Sequence, residues 1–293
     1  MLLRRTASAL LVLLAGTAGC LPATGHRSAP SVPPSAQVVA GPPAGDEARR
    51  LRLPYDAYEL STNDTFLIES AVDVLMRACM RRHGLDWTLL PRADDAEPPN
   101  RRRYGLIESA IAERYGYHLP PEPPGTARRQ AADRNRAATL SPHEHRIAYG
   151  ESGDSGGCWK GAYDRLREGL LRSDHGLLNR LTLESFDASL EHVAVRRAFD
   201  SWSSCMRRAG FDHARPLAAA GDPRWARTPR PGPLELRTAM ADVRCKQQTG
   251  LVTTWAAVET RLQTGFVRAH AKEFEALKAA KEQWLANARR VLA

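Results

Sequence analysis

CMRRHGLDW, residues 79–87, returns as CMRRAGFDH at residues 205–213, identical at six of nine positions. The stretch before each copy has helical spacing. Leu67, Ala71, Val74, Leu75 and Ala78 share one face over residues 62–83, and Phe186, Leu190, Val193, Ala198, Trp202 and Cys205 share one over residues 183–208. Gly84 and Gly210 then stand where a helix stops, because glycine tolerates the left-handed residue that closes the last turn. Proline- and arginine-rich sequence follows each copy, and each half then reaches a second cysteine, Cys158 or Cys245. Helix, Cys-Met, glycine turn, loop, helix, Cys therefore occurs twice.

The remaining pattern is also helical. Ser141-Pro142-His143-Glu144 is a capping box with proline at the first helical position. From Val252 to Leu292 an apolar stripe runs through Trp255, Val258, Leu262, Phe266, Phe274, Leu277, Trp284 and Val291. No segment alternates long enough to suggest a sheet. The expected fold is all-α: a single domain over residues 51–293 made of two pseudo-repeated modules, about 60–175 and 183–293, with long Pro/Arg-rich loops and a long C-terminal helix.

Four cysteines in the body allow three pairings. Treating both halves alike within themselves gives Cys79–Cys158 and Cys205–Cys245; the rival bridges the halves, Cys79–Cys205 and Cys158–Cys245. In the first case each bridge would stop a long excursion from loosening the core. The closed loops would stabilise by at most about 4–4.5 kcal/mol each in the chain-entropy model.

The N-terminus suggests where those sulfurs meet oxidising conditions. Arg4 and Arg5 precede an apolar run from Ala7 to Ala15, and small residues Gly16 to Gly19 lead into Cys20. This pattern reads as a signal peptide over residues 1–19. The small residues before Cys20 resemble the lipobox of bacterial lipoproteins, with Thr17 where leucine is usual; the alternative is cleavage near Ala18 with Cys20 a free thiol. Lipid on Cys20 leaves an even number of cysteines, as an exported chain favours. Residues 20–50 then read as a flexible tether: residues 21–48 hold six prolines with Ser, Thr, Gly and Ala, and would reach about 85 Å if fully extended. Without Arg4 and Arg5 the chain carries 40 basic against 33 acidic residues, net +7. Outside the cytoplasm that charge suits anionic wall polymers or lipid head groups rather than nucleic acid, although 37 arginines against 5 lysines also fits a GC-rich coding bias.

The repeated Cys-Met-x-x-x-Gly-[Leu/Phe], the run from Arg102-Arg103-Tyr104-Gly105 to Tyr115-Gly116-Tyr117, and Gly156-Gly157-Cys158 resemble uncharacterised secreted lipoproteins of actinobacterial type. The likeness spans about residues 60–290. It implies a location and a cysteine framework, and carries no activity.

GDSGGC, residues 153–158, matches the stretch that holds the nucleophile of trypsin-like proteases, with Ser155 in that role. The upstream histidines, His26, His83, His118, His143 and His145, lack the context of that family's base, and the helical surroundings exclude its double β-barrel. A glycine turn into a cysteine-bearing helix explains the same letters. His143 and His145 are two apart and face different ways, whereas a zinc pair sits one helical turn apart; Cys79 and His83 have that spacing but no second ligand pair. Asp94 and Asp95 have no base or nucleophile nearby in sequence. No catalytic residue, metal or cofactor is expected. Arg101, Arg102, Arg103 and Tyr104 on one excursion, and Arg224, Trp225, Arg227 and Arg230 on the other, form possible partner contacts, arginine beside an aromatic suiting a binding surface; a buried Trp225 is the alternative. The expected function is a lipid-anchored extracytoplasmic protein on the outer face of a bacterial cytoplasmic membrane, or a secreted one. Its role would be non-enzymatic binding or accessory work in the envelope, with an envelope protein or anionic wall polymer as partner. A serine hydrolase using Ser155 is the alternative.

Overall fold

The computed structural model describes residues 41–151 and 156–293. The leader, Cys20, most of the tether and Ser155 lie outside those residues. Among the described residues there are twelve α-helices and no strand. They are α1 (Asp46–Arg50), α2 (Thr62–Arg82), α3 (Ser109–Tyr115), α4 (Pro124–Thr139), α5 (Pro142–Tyr149), α6 (Gly157–Leu166), α7 (His175–Glu191), α8 (Val193–Arg208), α9 (Pro216–Ala220), α10 (Pro233–Thr249), α11 (Leu251–Ala269) and α12 (Ala271–Leu292).

The repeat has the same backbone solution twice. At the end of α2, Gly84 has φ +72° and donates to the carbonyl of Arg81, while Leu85 donates to Met80. At the end of α8, Gly210 has φ +87° and donates to Arg207, while Phe211 donates to Met206. Both are Schellman closures, and the methionine carbonyl that accepts the outer bond belongs to a fully buried side chain in each. The cysteines one residue earlier are bridged onward: Cys79 to Cys158 ties α2 to α6, and Cys205 to Cys245 ties α8 to α10, each across 5.7 Å between Cα atoms.

Beyond the repeat the halves are not self-contained modules. Tyr104 and Ile107, from the first half, are buried in one cluster with Trp202, Cys205, Cys245 and Trp255 of the second. In return, Leu285 and Ala288 at the end of the chain are buried with Ile68, Met76, Met80, Cys158 and Leu166 of the first. Each half completes the other's core.

The bond that fastens the first exchange is polar. Glu259, on α11 and fully buried, accepts from the guanidinium of Arg103, from Tyr104 Oη at 2.8 Å and from Gln263 Nε2 at 3.0 Å. Gln263 Oε1 in turn accepts from the backbone amide of Tyr55 at 3.2 Å. A buried carboxylate is tolerated only when donors surround it, and here they come from two parts of the chain, with a third tied in through Gln263.

Three boundaries differ from the sequence reading. Residues 41–50 are not tether: Gly41 donates to the Glu122 carbonyl, Gly45 to the Glu108 carboxylate, and α1 buries Ala48 completely. These anchors are mostly backbone bonds, which composition does not register. The stripe over 183–208 is cut at His192, whose backbone is extended and whose Nδ1 accepts from the amide of Ala194, starting α8 afresh. The long C-terminal pattern is likewise divided at His270, between the 19-residue α11 and the 22-residue α12. In both cases the apolar spacing continues across the break, so periodicity alone does not show it.

Two outcomes follow. Glu259→Ala should strand Arg103 and Tyr104 and cost about 3 kcal/mol, the low end for a broken buried pair because Arg103 is partly exposed; thermal melting should fall by about 6–12 °C. Gly84→Ala and Gly210→Ala should each cost about 1 kcal/mol from left-handed strain alone, since no atom crowds either site. Unequal costs in denaturant titrations would show that the two closures are not equivalent.

Candidate functional site

The described surface with the most chemistry is a cleft of about 200 Å³ between α2, α4, α5 and α6. Its floor is Val72, Met76 and Asp73, all buried residues of α2. Asp73 accepts from Trp87 Nε1 at 2.7 Å and from the amide of Leu90 at 2.6 Å, so one carboxylate fixes the chain that leaves the first repeat copy. Arg136, from α4, closes the arrangement: it bonds Asp73 and lies 4.3 Å above the Trp87 ring. Desolvation strengthens both contacts.

One wall is aromatic. Trp159 and Tyr163, one turn apart on α6, hold their rings 4.3 Å from each other, and Tyr149 presents its ring edge-on to Trp87 at 6.2 Å. The opposite rim is ionic. Arg129 bonds Glu69 at 3.2 Å, Ser70 Oγ at 3.3 Å and the Pro91 carbonyl at 3.2 Å, while Arg136 bonds Asp133 at 3.0 Å. Those arginines are spent on internal bonds; the exposed polar atoms are the carboxylates, with Glu69 41% and Asp133 57% exposed. Burial, then the nearby Glu69 charge, pushes the Tyr163 hydroxyl up, keeping it a neutral donor. The cleft thus offers ring faces beside hydrogen-bond acceptors.

None of the residues singled out as contacts in the sequence line this cleft. Arg101 is buried in a two-pronged pair with Glu108, 2.6 and 3.1 Å, and also bonds Glu97 at 2.6 Å. Arg103 and Tyr104 serve Glu259, and Arg102 reaches the His118 carbonyl at 3.5 Å. This excursion acts as an internal strut, its arginines held by Glu97 and Glu108 nearby and by Glu259 on α11. Trp225 is buried, donates to the Ala219 carbonyl at 2.8 Å and stacks on Tyr117. Arg224 pairs with Asp222 at 2.7 Å, whose carboxyl it holds down at about 2. Arg227 and Arg230 are exposed on that loop and make no ion pair with a described residue.

Of the histidines, His143 and His145 are exposed on α5, the latter tilted against the Tyr149 ring. Asp95 is a cap for α4: burial pushes its carboxyl up, but the bonds it accepts from the amides of Gly125 and Thr126 and from Thr126 Oγ1 together outweigh that and hold it low. Among the described residues, Cys79, His83 and Cys158 bring three ligand-type atoms within 4.8 Å of one another. Both sulfurs are bonded to each other, so a metal would find one imidazole. Asp73, Arg129, Arg136, Trp159 and Tyr163 carry no mark in the sequence beyond ordinary helical spacing. No family model matches this chain, and neither does any curated protein or solved structure.

His118 fixes the second arginine loop. Its Nδ1 lies 2.8 Å from buried Glu235 and its Nε2 2.9 Å from the Thr228 carbonyl, two acceptors that only the doubly protonated ring satisfies together. The Thr228 bond and then Glu235 hold its pKa above the ordinary 6.5. A raised folded-state pKa contributes stability in full below the unfolded value, lost as pH rises through the folded one. The melting-temperature gap between wild type and His118→Ala should therefore be widest below pH 6.5 and narrow above it; a gap independent of pH would contradict this role.

Proposed function

We propose that the protein is a lipid-anchored, extracytoplasmic binding protein of the cell envelope, held to the bilayer through Cys20, whose α2–α6 cleft takes a sugar unit of a wall polymer. The observation that carries the reading is the cleft's composition: tryptophan and tyrosine rings on one side, with the outward-facing carboxylates of Glu69 and Asp133 on the other. Aromatic faces suit the C–H surface of a sugar, and carboxylates accept from its hydroxyls. All three carboxylates of the cleft are paired with arginine, which sets them as positioned acceptors. The exposed edge is acidic, so the cleft favours the hydroxyl-bearing rings of a polymer over its anionic groups. The leader pattern, Cys20 and the two bridges support the location.

Titration of intrinsic tryptophan fluorescence with the N-acetylglucosamine–N-acetylmuramic acid disaccharide tests the site. Saturable binding is expected, weakened about tenfold or more by Trp159→Ala, as when a ring worth about 1.4 kcal/mol is removed. Absence of binding, or an unchanged affinity in the variant, would overturn the cleft assignment. Anchoring is tested apart from it: palmitate labelling and membrane sedimentation should both be lost in Cys20→Ala.

A further inference from the structure

The two bridges start from the same repeat motif and differ at one end: Cys158 is buried, 4% exposed, like both cysteines of the second bridge, whereas Cys79 is half-buried. Cys205–Cys245 belongs to the central cluster with Trp202 and Trp255, its sulfurs' residues 7% and 0% exposed. Cys79–Cys158 opens on a cleft of about 350 Å³ whose walls include Ala78, Gly157, Gly161 and Ala162, side chains too small to cover it. Cys79 is half-buried there, and Arg82 and Arg165 line the same opening.

The repeat isolates a further difference. After the shared CMRR, the first copy has His83 where the second has Ala209. The His83 ring brings a nitrogen within 4.8 Å of both sulfurs of the Cys79–Cys158 bridge; among the described residues the second bridge has no such neighbour, and its Cys205 lies 3.4 Å from the side-chain carbonyl oxygen of Gln248. Helix position differs too. Cys158 is the second residue of α6, while Cys79, Cys205 and Cys245 lie in the closing turns of α2, α8 and α10. The helix dipole in a first turn favours a thiolate, and it acts on Cys158 alone of the four.

From these differences we infer that Cys79–Cys158 is a thiol–disulfide exchange site, whose reaction partner is an extracytoplasmic dithiol, and that Cys205–Cys245 is structural. A thiolate of the partner attacks Cys79 Sγ, the sulfur nearer solvent, forming a mixed disulfide. The Cys79–Cys158 bond breaks, and Cys158 leaves as a thiolate at the N-terminus of α6. The partner's second thiolate then attacks its own sulfur in the mixed disulfide and releases Cys79. The two thiolates take up the two protons given up by the dithiol, His83 serving as the local relay. Two electrons pass to this protein, and the partner leaves as a disulfide. The lower-pKa leaving thiol, Cys158, speeds the first step, and the cationic surroundings favour the thiolates that both steps release. The inference does not depend on what the aromatic cleft binds.

Graded dithiothreitol treatment of the full chain, quenched by alkylation and mapped by mass spectrometry, decides it. Cys79 and Cys158 should become alkylated while Cys205–Cys245 remains joined and far-ultraviolet circular dichroism remains helical. His83→Ala should slow that first reduction by about threefold or more, the effect of roughly one unit in leaving-group pKa, and leave the second bridge's rate unchanged. Cys158→Ser incubated with oxidised glutathione should hold an adduct on Cys79. Bridges that open together, only as helicity is lost, would overturn the assignment, as would Cys205–Cys245 opening first or a His83→Ala rate equal to wild type.

Discussion

A buried carboxylate with no donors would be intolerable, and Glu259 is satisfied only if Arg103, Tyr104 and Gln263 arrive together. That requirement dictates much of the architecture. It draws the proline-bounded excursion of the first half onto α11, packs Tyr104 against Trp255 with ring centroids 4.8 Å apart, and sets Arg103 over the Phe186 ring. Through Gln263 the same node fixes the 3-10 turn at Pro54–Ala57, where Tyr55 stacks on Phe274 of α12. An apolar core alone specifies shape loosely; a polar node with one satisfying arrangement specifies which segments belong together.

The cleft and the Cys79–Cys158 bridge are parts of one construction. Cys79 holds α2, which supplies Asp73 and Met76, and Cys158 precedes Trp159 on α6. The bridge therefore joins the floor of the cleft to its aromatic wall. The second bridge, deep among Trp202 and Trp255, joins helices that already share a large apolar contact. Both bridges thus reinforce an apolar core, and the first does so beside an open cleft.

What could be read from the chain itself was local. Helical spacing, the Ser141 capping box and the two glycine closures are short-range consequences of residue type, and they appear where the sequence places them. The cysteine links join the helices that the repeat suggests. Contacts across long separations were not legible. Arg103 and Tyr104 read as part of an exposed basic patch because their partner Glu259 lies more than 150 residues away. The tether was drawn too long because Gly41 and Gly45 are held through backbone amides, which any residue possesses. The aromatic cleft left no trace, since Trp159 and Tyr163 are spaced as any pair on a helical face and their opposing arginines come from α4, whose polar sequence shows little apolar stripe.

The reciprocal exchange between the halves also sets an order of events. Leu285 and Ala288 of α12 wall the core built on α2, so a growing or threading chain cannot finish its earliest hydrophobic cluster until α12 is free to turn back. Contacts of such sequence separation are slow to form. Until they do, Ile68, Met76 and Leu166 remain open to the wrong neighbours, and the sulfurs at 79 and 158 can find each other before that core is closed.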